Sequence, residues 1–98
     1  MKPQNKATVY NTDGTSYELD HRPTLSEAQQ IVGGYIEFTS GRKDGKIVTI
    51  VVDEEGLMKN KAFNNQATIY RNNLYGYSGP LVGNAIVLEG WTTVGVDK

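Results

Sequence analysis

Apolar residues recur at three- and four-residue steps at Leu25, Ala28, Ile31 and Val32, with Ser26, Gln29 and Gln30 polar between them. That spacing predicts a short amphipathic helix with one buried stripe. Thr24 and Glu27 stand in capping-box spacing just ahead of it, so the Thr24 hydroxyl can accept from the Glu27 N–H while the Glu27 carboxylate reaches back. Gly33-Gly34 supplies a left-handed residue past the last turn, and Tyr35 to Phe38 then alternates like a half-buried strand. The run Lys46 to Asp53 contains IVTIVV, which is nearly unbroken and β-branched, and it predicts the central strand of a sheet. Ser40 to Gly45, rich in glycine and charge, reads as the loop that pairs it antiparallel with Tyr35–Phe38.

Weaker patterns fill the rest. Ala7 to Leu19 reads as a hairpin turning at Asp13-Gly14, the residue pair suited to a tight type I′ turn. Leu57 to Phe63 has no clean period and is expected to be loop. Asn64 or Asn65 is placed to cap a short helix through Arg71, with Ala67 and Tyr70 inward and Asn72-Asn73 as the stop. Gly76 to Gly83 reads as a long turn, and Ala85 to Leu88 as a last apolar strand. The order is an α+β fold: about five strands in a small mixed or antiparallel sheet, with one main helix and a second short helix packed on one face. At 98 residues one domain is expected over 1–98, with residues 1–6 and 93–98 frayed.

Composition narrows the chemistry. Ten Lys plus Arg against eleven Asp plus Glu leave a formal net charge of −1, which gives no broad field toward nucleic acid or anionic lipid. There is no cysteine, which excludes disulfides, thiolate metal sites and a cysteine nucleophile. No stretch approaches the roughly 20 apolar residues of a membrane span. With His21 as the only histidine, a zinc site built on several imidazoles or a catalytic triad has no basis. His21 itself, between Asp20 and Arg22, reads as a bystander in a polar break.

Two clusters remain. Asp53, Glu54 and Glu55 at a strand end are the residue type that holds magnesium or performs acid–base work, but strand residues alternate in direction, and the cluster reads first as a solvated turn. Tyr70, Arg71, Tyr75 and Tyr77, together with Asn64, form a polar and aromatic stretch of the kind that anchors interfaces. These five are the candidate binding residues; no catalytic residue, metal ligand or cofactor is expected. Trp91 reads as a lid on the core, with an oligomer contact as the alternative.

At LSEAQQIVGGYIEF, IVVDEEGLM, Asn64 with Ala67-Thr68, and LVGNAIVLEG, the chain resembles the uncharacterised family DUF3846, over roughly Thr24 to Gly90. The resemblance implies a small accessory protein of bacteriophages and mobile elements, acting in the cytoplasm of a bacterial host, and it carries over no site residues. The resulting expectation is non-enzymatic binding of a host protein, inhibiting a defence or transcription component. The alternative is an oligomeric small-ligand or nucleotide sponge, and a third reading is a metal-dependent enzyme using Asp53, Glu54 and Glu55.

Overall fold

In the computed structural model, which describes residues 5–76 and 79–97, the chain runs β1 (Lys6–Tyr10), β2 (Ser16–Leu19), α1 (Leu25–Val32), β3 (Ile36–Lys43), β4 (Lys46–Asp53), α2 (Asn65–Tyr75) and β5 (Ala85–Glu89). The strands form one antiparallel sheet in the order β2-β1-β5-β4-β3. The α+β class and the five strands agree with the sequence reading. The centre does not: β5, not β4, is the middle strand. An apolar run reports that both faces of a strand are covered, and β4 meets that condition from second place in the sheet.

Both faces are covered because the helices lie on opposite sides, which corrects the expectation of a single helical face. Val51 of β4 and Ile86 and Leu88 of β5 pack with Ala28 and Val32 of α1. Their neighbours Val48, Ile50, Val52, Ala85 and Val87 pack with Ala67 of α2, and Tyr70 and Leu74 lie against them. Consecutive strand residues point oppositely, so consecutive apolar residues need cover on both sides.

The hairpins reverse the expected assignment of turns. Asp44 and Gly45 both have positive φ, 53° and 79°, and join the paired residues Lys43 and Lys46 directly, so the two-residue primed turn is here. Residues 40–43, expected as loop, therefore extend β3. Between β1 and β2 the loop spans residues 11–15; the Asp13 carboxylate accepts from Thr15 N–H at 2.9 Å and Gly14 alone takes positive φ. A side chain bonding its own backbone two residues on makes the wider Asx turn favourable there.

α1 begins and ends as read, with both capping-box bonds present at Thr24 and Glu27 and Gly33 left-handed at φ 84°. α2 runs past Asn72-Asn73 to Tyr75, because Leu74 one turn on still has core to cover. Residues 93–97 do not fray or extend β5: Val94 is buried, and Gly95 N–H donates to Pro23 O at 2.8 Å while Gly95 O accepts from Leu25 N–H at 3.1 Å. Asp97 accepts from the Ser26 hydroxyl at 2.9 Å, placing a carboxylate at the α1 N-terminus. Lys6 opens β1, and residues 1–4, also expected to fray, lie outside the described residues. Trp91 is half-buried against the α1 core with the Arg22 guanidinium 5.8 Å from its ring, as a lid would be.

Asn64 ties three elements together. Its Oδ1 accepts from Ala67 N–H at 3.0 Å, and its Nδ2 donates to Tyr10 O and Gly83 O, each at 2.9 Å. The residue is fully buried, and its bonds to Ala67 and Gly83 are made away from water. Asn64→Ala should lower the unfolding free energy by roughly 2–4 kcal/mol, combining a lost cap with two stranded carbonyls. Denaturant unfolding checks this, and a loss under about 1 kcal/mol would contradict the three-way tie.

Candidate functional site

The turn after β4 does not simply solvate its carboxylates. The Asp53 side chain is fully covered, with Lys61 Nζ at 2.6 Å, Lys59 Nζ at 2.9 Å and the Glu55 N–H at 2.8 Å from its oxygens. The same two ammonium groups donate to the end of α1, Lys61 to Val32 O and Lys59 to Gly33 O. α1 has no basic residue in its own last turn, so these loop lysines supply the cations its C-terminal dipole favours. Burial alone pushes the Asp53 carboxyl up, and the hydrogen bonds from Lys61, Lys59 and Glu55 outweigh it, holding the group well below the usual carboxylate range. A Cβ on Gly34 would stand 2.5 Å from Lys59 Nζ and 2.8 Å from an Asp53 oxygen, so the glycine pair admits the ion cluster beneath the helix end.

These contacts correct the solvated-turn reading for Asp53 and bear on the metal reading, since a cation could reach that carboxylate only by displacing two lysines. Among the described residues no group of three His, Asp or Glu side chains is arranged to hold a metal ion.

The loop held by this cluster presents Leu57 and Met58 to solvent, 69% and 81% exposed. They border a hollow of ≈ 260 Å³ walled by Val52, Pro80, Leu81 and Val82. It shares Glu37, Val52 and Leu81 with a neighbouring hollow of ≈ 170 Å³ that reaches Arg71, so the two form one groove beside β3 on the α2 side. A separate hollow of ≈ 710 Å³ lies at the β3–β4 turn, lined by Lys43, Lys46, Glu89, Gly90 and Asn5 among others.

The five candidate residues are not one cluster. Asn64 is consumed by the fold. Arg71 is buried, donating to Gly79 O and to Asn72 Oδ1, and reaches the groove. Tyr70 faces the other way, with Tyr10 6.2 Å away and Lys43 Nζ 4.9 Å from its ring centre. Burial first, and then the nearby Glu89 and Tyr10, push its hydroxyl up to about 12. The Tyr75 side chain and Tyr77 lie outside the described residues. Sequence reasoning missed Lys59, Lys61, Leu57 and Met58. The available signal was an adjacent apolar pair inside an aperiodic, charged segment.

His21 is held between two carboxylates: its ring nitrogens lie 2.5 Å from Asp20 and 2.8 Å from Glu27. Asp20 first, and then Glu27, raise its pKa. Its contribution to stability is therefore present below about pH 6.5 and lost as pH rises through the folded-state value. Asp53 is the opposite case, contributing above about pH 4 and losing that contribution as pH falls toward its depressed value. Asp53→Asn should cost about 3–5 kcal/mol near neutrality, by leaving two ammonium groups without a counter-ion, and should flatten the acid limb of stability against pH. An unchanged acid limb in urea titrations from pH 3 to 7 would contradict the ion cluster.

Among the described residues no helix is long and apolar enough to cross a membrane. No curated protein and no solved structure matches the chain. A family model does, over residues 5–96, and it covers both the VGG junction that receives the lysines and the groove beside β3. The chain belongs to that family, DUF3846, described as a domain of unknown function.

Proposed function

We propose that this chain is a small accessory protein of bacteriophage type that binds a host protein without making or breaking bonds, through the groove beside β3. The observation that carries the reading is the pairing of Leu57 and Met58, both strongly exposed, with a groove that runs to Arg71. Flexible apolar side chains beside a buried arginine and a polar rim are the makings of an interface hot spot. The Asp53 carboxylate is already engaged by two lysines, which favours contact over acid–base chemistry at this turn. The bacterial host cytoplasm as the place, and inhibition of a defence or transcription component as the consequence, rest on the family resemblance.

A second reading is a small-ligand or nucleotide sponge, favoured by the ≈ 710 Å³ hollow where Lys43 and Lys46 flank the glycine turn. Thermal-shift measurements with signalling nucleotides separate the two, a rise in melting temperature favouring the sponge.

Capture from bacterial lysate on the immobilised chain tests the leading reading. One host protein should be retained by the native sequence and lost, by at least about tenfold, with Leu57→Asp and Met58→Asp together. Both side chains are solvent-exposed, so the doubly substituted chain should keep its melting temperature. Equal retention by the two chains, or no retained protein, would overturn the groove as the contact surface.

A further inference from the structure

Among the described residues two charged side chains are buried, and they are balanced differently. Asp53, 4% exposed, has Lys59 and Lys61 as counter-ions. Arg71 is 7% exposed, and no carboxylate side chain pairs with it. All eleven Asp and Glu residues of the chain lie among the described residues, so this holds for every acidic side chain. α2 itself contains no Asp or Glu that could serve from one turn away. The hydrogen bonds of Arg71 go to neutral oxygens, Nη2 to Gly79 O and Nε to Asn72 Oδ1. Its Nη1 makes no hydrogen bond to the described residues. No side-chain nitrogen or oxygen without a partner is fully enclosed among them, so Nη1 opens to the surface. A guanidinium stays charged in a protein, and burial penalises that charge unless an anion stands beside it.

Arg71 lines the ≈ 170 Å³ hollow together with Phe38, Ile50, Val52 and Leu81. Apolar walls exclude water and strengthen any charge pair formed between them. Glu37 shares the lining, yet it is exposed and makes no ion pair among the described residues, so it leaves the arginine without a counter-ion.

We propose, taking the groove beside β3 as the contact surface, that the partner inserts one carboxylate at Arg71, from an aspartate or glutamate side chain flanked by apolar residues. The planar guanidinium fork matches a carboxylate, and pairing with it relieves a charge that the fold leaves uncompensated. A neutral segment in the same place leaves the penalty standing, so Arg71 discriminates as well as attracts. The apolar flanks answer the rest of the groove, where Leu57 and Met58 border Pro80 and Val82. Phosphate fits less well. Among the described residues the two hollows are lined by a single cationic side chain, Arg71, against the exposed Glu37 and Glu54. A group carrying about −1.5 to −2 would meet repulsion there that one guanidinium does not offset. The hollow at Arg71 is also below the roughly 300–1,000 Å³ of pockets that enclose a free small molecule, which favours one side chain of a larger partner.

An array of random dodecapeptides, each amidated at its C-terminus so that only side chains supply carboxylates, tests the proposal against the native chain. Retained peptides should carry Asp or Glu beside apolar residues, at least about threefold above the array average. In fluorescence anisotropy with the tightest peptide, replacing its acidic residue by the matching amide should weaken binding by at least about tenfold. That change leaves the protein untouched, so it reads the charge whatever a substitution does to folding. Arg71→Gln should erase the difference between the acidic and amide peptides, and Glu37→Gln, at an exposed position, should tighten the acidic peptide by about twofold or more. Leu57→Asp with Met58→Asp should weaken both peptides alike, which reads the groove separately from the arginine. Acidic and amide peptides binding equally, or an acid preference that survives Arg71→Gln, would overturn the carboxylate site while leaving the groove in place. Binding that depends on Arg71 and ignores Leu57 and Met58 would overturn the groove alone, and an array with no retained peptide would overturn both.

Discussion

A carboxylate with no solvent exposure is stable in a protein only if cations and donors replace its lost water, and Asp53 meets that demand with two lysines and a backbone N–H. Much of the molecule is arranged around that requirement. The segment after β4 must double back beneath α1 so that Lys59 and Lys61 reach the carboxylate and the helix end at once. Gly34 must lack a side chain so that the cluster fits. The doubling back gives the loop its shape and turns Leu57 and Met58 outward beside the groove. A structural ion cluster and an exposed apolar pair are thus two sides of the same short segment.

Asn64 plays the neutral counterpart on the other face. It closes the start of α2, the end of β1 and the turn into β5 with three hydrogen bonds, as Asp53 closes α1 onto β4. The two helices are therefore pinned to opposite faces of the sheet by different chemistry.

Local signals were legible in the sequence where the physics is local. The capping box of Thr24 and Glu27, the left-handed Gly33 and the cap at Asn64 depend on residues within a few positions of one another, and all three are present. Which Asp-Gly pair makes the tight turn was not legible, because Asp13 has the competing bond to Thr15 while Asp44 sits between strands long enough to impose the primed geometry. Strand order and helix side were hidden for a related reason: the IVTIVV run states that two faces are covered and is silent on which neighbour lies beside it. The ion cluster was the least visible feature. It joins residues from positions 32 to 61, and a lysine in an aperiodic loop looks the same whether it faces water or a buried aspartate.

The family assignment brings no chemistry with it, so the functional reading rests on what the side chains form: an apolar-rimmed groove and a lysine-flanked hollow. The groove depends on the loop geometry that Asp53 anchors. Carbon-detected NMR titration of the Asp53 side-chain carboxyl tests that anchor most directly. The carboxyl should remain ionised well below the ordinary aspartate midpoint of about 3.9 for as long as the chain stays folded. A midpoint at or above that value in the folded chain would contradict it.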